Sequence, residues 1–154
     1  ASRVFKNAYF YQMERTYAGY DPNSLGGPPA TPGYPNGNPN LPYFRLHGAD
    51  LPWLFGTLTT LRDPQDLYSI QLTTAYFAEF VKSGQPNPPV GYLAARGYQK
   101  TLEAVVNNGP WERVSSSQGP IQLLDYPSVG APFQDLEQCS WLNYPVSYYL
   151  DGGS

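Results

Sequence analysis

The sequence predicts an α/β fold that is incomplete as it stands. Three observations carry this. Strands and a strongly punctuated helix alternate along the chain. Only two runs read as confident strands, and about three are the minimum for an independent sheet. The first run, within residues 3–17, is dense in Phe, Tyr and Val, as a strand buried on both faces is, so it needs neighbours on both sides. The 154 residues are the size of one domain. Residues 1–154 are therefore expected to be the end segment of a single larger α/β domain.

Composition narrows the class. Hydrophobic residues make up 41% and aromatic residues 16%, with 14 Tyr, which is too much apolar surface for a disordered segment. The net charge of −3 comes without a basic block, which argues against nucleic-acid binding. No run of eighteen apolar residues exists, so no membrane span is expected. The start, "ASRVFKNAYF", has no signal-peptide core and no Met, and reads as a processed or cut end.

The elements follow in order. "RVFKNAYFYQMERTY" (3–17) reads as a buried strand of roughly 6–8 residues centred on Tyr9 to Met13. Residues 18–46 are crowded with Pro, Gly and Asn and read as a long loop, of the kind that often serves function. It leads to the histidine segment, 47–56. A helix is expected over 63–84, with Asp63 as cap, Pro64 in its first turn and Gly84 at its end. Its apolar face would carry Leu67, Ile70, Phe77, Phe80 and Val81. A second helix is expected over 91–109, with Leu102, Val105 and Val106 on one side and Asn-Asn-Gly as its stop. Residues 119–154 supply a terminal strand near 119–127 and a last helix near 132–144, with Phe133, Leu136 and Cys139 or Ser140 on one face.

His47 is the single histidine, and Cys139 the single cysteine. Imidazole titrates near neutrality and is the commonest general base, but a lone histidine is as readily structural. The long loop before His47 and the glycine directly after it favour a functional role. Asp50 can bond nearby groups or, next to Pro52, cap a short helix. Catalysis would require a nucleophile and an orienting carboxylate. No G-x-S-x-G elbow is present, and Ser115, Ser116 and Ser117 read as a polar turn. No zinc motif, P-loop or dinucleotide fingerprint appears, so neither metal nor cofactor is expected. Cys139 is either a buried thiol or half of a bridge to another chain.

The stretch "LHGADLPWLFG" resembles the catalytic-histidine segment of type B carboxylesterases, the α/β-hydrolase family of cholinesterases, neuroligins and fungal lipases. That segment reads His-Gly-x-(Asp/Glu)-(apolar)-x-aromatic-(apolar)-Phe-Gly, and every position from His47 to Gly56 fits it. "YFYQMERTY" resembles the preceding strand. "YFAEFVKSGQPNPP" resembles the helix end W-x-x-F-a-x-x-G-x-P-N, with another aromatic in place of its Trp. "LEQCSWLNY" resembles a late Gln-Cys element. The likeness runs collinearly over nearly the whole chain. The 91–109 helix departs from many members and is similar to the fungal branch.

The resemblance implies the C-terminal part of an α/β-hydrolase fold acting as a secreted carboxylesterase or lipase on an ester substrate. His47 would be the triad's general base and acid, and Asp50, with Gly48, a support of the motif rather than the triad acid. Tyr43, Phe44, Leu46 and Leu51 would border an acyl or alcohol pocket or simply pack in the core. The serine elbow, the oxyanion hole and the acidic triad member lie upstream in this family, so they would belong to a larger N-terminal partner chain. Cys139 matches a cysteine that pairs with an upstream one in several members, which implies an interchain disulfide and an oxidising, extracellular setting. Two competing functions remain: a non-catalytic relative of the same fold used for adhesion or binding, and a free-standing aromatic-rich binding module.

Overall fold

The computed structural model describes residues 6–15, 31–40, 47–58 and 60–142, apart from the side chain of Cys139. Within them the chain is mixed α/β. Three strands, β1 (Tyr11–Met13), β2 (Ile121–Leu124) and β3 (Val129–Ala131), form one sheet in the order β1-β2-β3. β1 runs parallel to β2 with Tyr11 opposite Gln122, and β2 runs antiparallel to β3 with Gln122 opposite Gly130. A parallel pair needs a crossover. Here it contains the four helices α1 (Leu51–Leu54), α2 (Pro64–Ser83), α3 (Val90–Ala95) and α4 (Gln99–Asn108). A fifth helix, α5 (Leu136–Trp141), follows the sheet.

Local chemistry sets the bounds of α2. The Asp63 carboxylate accepts from the Asp66 amide at 2.9 Å, Pro64 opens the first turn, and Gly84 closes the helix at φ +76°. Its buried side is not the one that apolar spacing marks. Asp66, Ser69, Leu72, Thr73, Ala75 and Tyr76 are buried, while Leu67, Phe80 and Val81 are exposed. The expected single apolar face is thus corrected, because α2 carries apolar side chains on three sides. Leu72 and Tyr76 join the core with Ala104, Trp111 and Leu124. Leu67 and Ile70 border a groove with Tyr92, and Phe77 and Phe80 border an aromatic pocket with Trp111.

Three further expectations are corrected. The 91–109 stretch holds two helices, because Gly97 at φ +70° breaks it after Arg96. Within α4 the buried residues are Thr101 and Ala104, and Val106 is exposed. β1 is three residues long and lies at the end of the sheet, with a neighbour on one side only among the described residues. β3 gives no sign of itself in the sequence, because Val-Gly-Ala is too short and too plain to signal a strand.

An ionic cluster ties the end of β1 to the start of α2. Arg15 reaches Asp66 at 2.7 Å, Asp63 at 2.8 Å and Asp125, beyond β2, at 3.3 Å. Arg62 meets the same Asp66 with its guanidinium at 2.8 Å and with its own backbone amide at 2.8 Å. Burial alone would push the Asp66 carboxyl upward. The hydrogen bonds from Arg62 and the charges of Arg62 and Arg15 outweigh it and hold the group below the usual carboxylate range. Arg15 also lies 5.9 Å from the centre of the Trp53 ring, which carries the cluster to the helix just after His47.

Candidate functional site

His47 opens a turn over residues 47–50 and is exposed. Gly48 follows at φ +77°, a left-handed conformation that a residue with a Cβ adopts only under strain. Ala49 is buried, and the Leu51 amide donates back to the Gly48 carbonyl at 3.1 Å. The glycine therefore lets the chain reverse, carrying Ala49 inward while His47 stays outside.

Asp50 occupies the N-cap position of α1, but its side chain makes no capping bond there. It accepts instead from the Tyr11 hydroxyl at 2.7 Å, across 39 residues of sequence. The helix-cap reading of Asp50 gives way to a tie between the histidine segment and β1. Desolvation, reinforced by this bond and by the negative charge of Asp50, pushes Tyr11 up to about 12, so the phenol remains a donor across the physiological range.

The far end of the segment is held just as firmly. Trp53 is fully buried. The Thr74 hydroxyl on α2 lies 3.3 and 3.1 Å from the carbonyls of Trp53 and Leu54 and shares its one hydrogen between groups that the end of α1 leaves unpaired. Phe55 bonds back to Leu51, Thr57 bonds back to Pro52, and Gly56 sits between them at φ +63°. That is the six-to-one closure of a helix on a left-handed residue, which explains the glycine at this position.

The structure thus ties Gly48, Asp50 and the Pro52–Gly56 stretch into one stiff platform whose first residue is an exposed imidazole. Among the described residues, none is hydrogen-bonded to His47. Leu51 lies exposed on α1. Tyr43, Phe44 and Leu46 lie outside the described residues, as does the side chain of Cys139. Ser116 closes a tight turn with Gly119. Among the described residues, no group of three or more His, Cys, Asp or Glu side chains could hold a metal ion, and no helix is long and apolar enough to cross a membrane.

Two features have no clear mark in the sequence. Tyr11 carries no local sign that it reaches Asp50. Asn87 pairs with the backbone of Trp111 in both directions, accepting at 2.7 Å and donating at 3.0 Å. Its place in the Gly-x-Pro-Asn helix end is the one signal that could have singled it out.

Compared with protein-family models and with curated proteins, the chain matches none.

Proposed function

We propose that this chain supplies the general base and acid of a serine carboxylic ester hydrolase. It would form the C-terminal part of an α/β-hydrolase domain of the type B carboxylesterase and lipase kind, in a secreted enzyme. A larger upstream chain would provide the serine, the oxyanion hole and the carboxylate that orients the imidazole. The observation that carries the reading is the intact run His47-Gly48-Ala49-Asp50-Leu51-Pro52-Trp53-Leu54-Phe55-Gly56. It is supported by the exposure of His47 on a platform whose other residues are tied down.

His47 takes the proton of the partner's serine as its oxygen attacks the ester carbonyl. It returns that proton to the leaving alcohol, then repeats the exchange with water to release the acid. The protein's task in such chemistry is to hold the imidazole still, since small misplacements cost orders of magnitude in rate. Asp50 serves this by anchoring the segment to β1 through Tyr11, and is not the triad carboxylate.

Hydrolysis of a short-chain p-nitrophenyl ester by the assembled protein tests the reading. His47→Ala should lower kcat by about 10⁴-fold or more, the usual cost of losing a triad member. Undiminished turnover would overturn the assignment.

A further inference from the structure

We infer that the groove which α2 forms with α3 and the end of α1 binds a small amphipathic monocarboxylate. Its carboxylate would sit on the Arg96 guanidinium and its hydrocarbon tail along Leu67, Ile70 and Phe55. The inference goes beyond the hydrolase reading and does not depend on it.

The cation is set in place by the way α3 ends. Gly97 turns the chain at φ +70°. Its amide donates to the Ala94 carbonyl at 3.0 Å, and the Tyr98 amide donates to the Leu93 carbonyl at 3.0 Å. That double closure fixes Arg96, Gly97 and Tyr98 as a unit. The Arg96 guanidinium lies 5.2 Å from the centre of the Tyr98 ring and donates from Nη2 to the Tyr98 hydroxyl at 2.9 Å. A guanidinium carries several N–H donors in a planar fork. The others on Arg96 have no partner among the described residues.

Charge singles Arg96 out. Between Pro64 and Asn108 the cations are Lys82, Arg96 and Lys100. Lys82 lies 3.6 Å from Glu79, and Lys100 lies 2.7 Å from Glu103. The groups that act on Arg96 are the phenols of Tyr98 and Tyr92, with no carboxylate among them. Its free fork is the shape that a carboxylate matches with both oxygens.

The groove supplies the rest. It holds about 280 Å³. Ligand sites run from about 300 to 1,000 Å³, so this one suits a short chain or a single ring. Leu67 and Ile70 of α2 and Phe55 give it an apolar wall, and Tyr92, Arg96 and Tyr98 bring the polar tips. Phe55 is 69% exposed and Leu67 is exposed, so a tail laid there removes apolar surface from water. The other polar groups of the wall are already engaged, Gln71 with Thr101 and Thr74 with the end of α1. One cation matches one negative charge. A phosphate monoester, at about −1.5 to −2, would stay only partly neutralised, and a neutral lipid would leave the fork unused.

The test titrates sodium octanoate and octan-1-ol into the intact, undenatured protein by calorimetry. Octanoate should bind saturably, and the alcohol, with the same chain and no charge, at least about tenfold more weakly. Arg96→Gln should weaken octanoate about tenfold and leave the alcohol unchanged, while Leu67→Ser should weaken both. Lys100→Gln, which removes a cation outside the groove wall, should change neither. With octanoate at ten times its Kd, hydrogen exchange of the Phe55 amide, in the groove wall, should slow about tenfold.

Absence of saturable octanoate binding overturns the proposal. Equal affinity for octanoate and octan-1-ol overturns the carboxylate, and this contrast holds on the unaltered protein even where Arg96→Gln fails to fold. Octanoate binding untouched by Arg96→Gln, weakened equally by Lys100→Gln, or without effect on the Phe55 amide overturns the placement.

Discussion

Replacing Tyr11 by Phe removes one oxygen and leaves the ring in its contacts with Phe77 and Trp111. What disappears is the 2.7 Å bond to Asp50. A hydrogen bond to a charged acceptor is worth about 1.5–3 kcal/mol when shielded. Tyr11 is 37% exposed and Asp50 is half-buried, so water screens the pair and about 1 kcal/mol is the expected share. A double-mutant cycle isolates it. Tyr11→Phe, Asp50→Ala and the double variant are unfolded in urea, and the non-additive part should come to about 1 kcal/mol. The same variants should speed hydrogen exchange at Ala49 and Leu51, since the tie holds the turn that contains Ala49. Additivity within about 0.3 kcal/mol, with exchange unchanged, would refute the claim that this bond anchors the histidine segment.

Asp66→Asn leaves Arg15 and Arg62 facing a neutral side chain in a buried setting and should cost about 3–5 kcal/mol in denaturant unfolding. Because folding depresses the Asp66 carboxyl below its ordinary 3.8, its contribution is full above that value and is lost as pH falls through the lower folded value. The variant's acid-unfolding curve should accordingly be flatter below about pH 4. In ultraviolet titration, Tyr11 and Tyr76 should ionise late, near 12, and Tyr11→Phe should remove one of these late phenols. Gly56→Ala should destabilise by about 1–2 kcal/mol, from its φ of +63° rather than from a clash, as the nearest atom to an added Cβ is 3.6 Å away.

The parts legible in the sequence are those decided by neighbours in the chain. Asp63, Pro64 and Gly84 each act within a turn of their own position, and they mark both ends of α2. Gly48 and Gly56 are likewise local, since each answers a left-handed φ. What the sequence hides depends on distant partners. Tyr11 and Asp50 meet across 39 residues, and Arg15 gathers three carboxylates from two distant parts of the chain. The buried face of α2 is hidden for the same reason. Spacing reveals an apolar stripe when one side is covered, but α2 offers apolar side chains to the core, a groove and a pocket together. Gly97 divides a stretch that reads as one helix, because a lone glycine is tolerated in many helices and its effect here depends on the turn that α3 and α4 make. The run around Tyr9 to Met13 shows in the sequence as a conflict, being too apolar for a strand with a neighbour on one side only, which is how β1 stands among the described residues.

The central claim, that His47 activates a serine on another chain, is tested most directly by fluorophosphonate labelling of the undenatured protein followed by separation of its chains. The probe should mark a chain other than this one, and His47→Ala should slow labelling by about a thousandfold or more. Labelling at an unchanged rate in the variant, or a label on this chain itself, would contradict it.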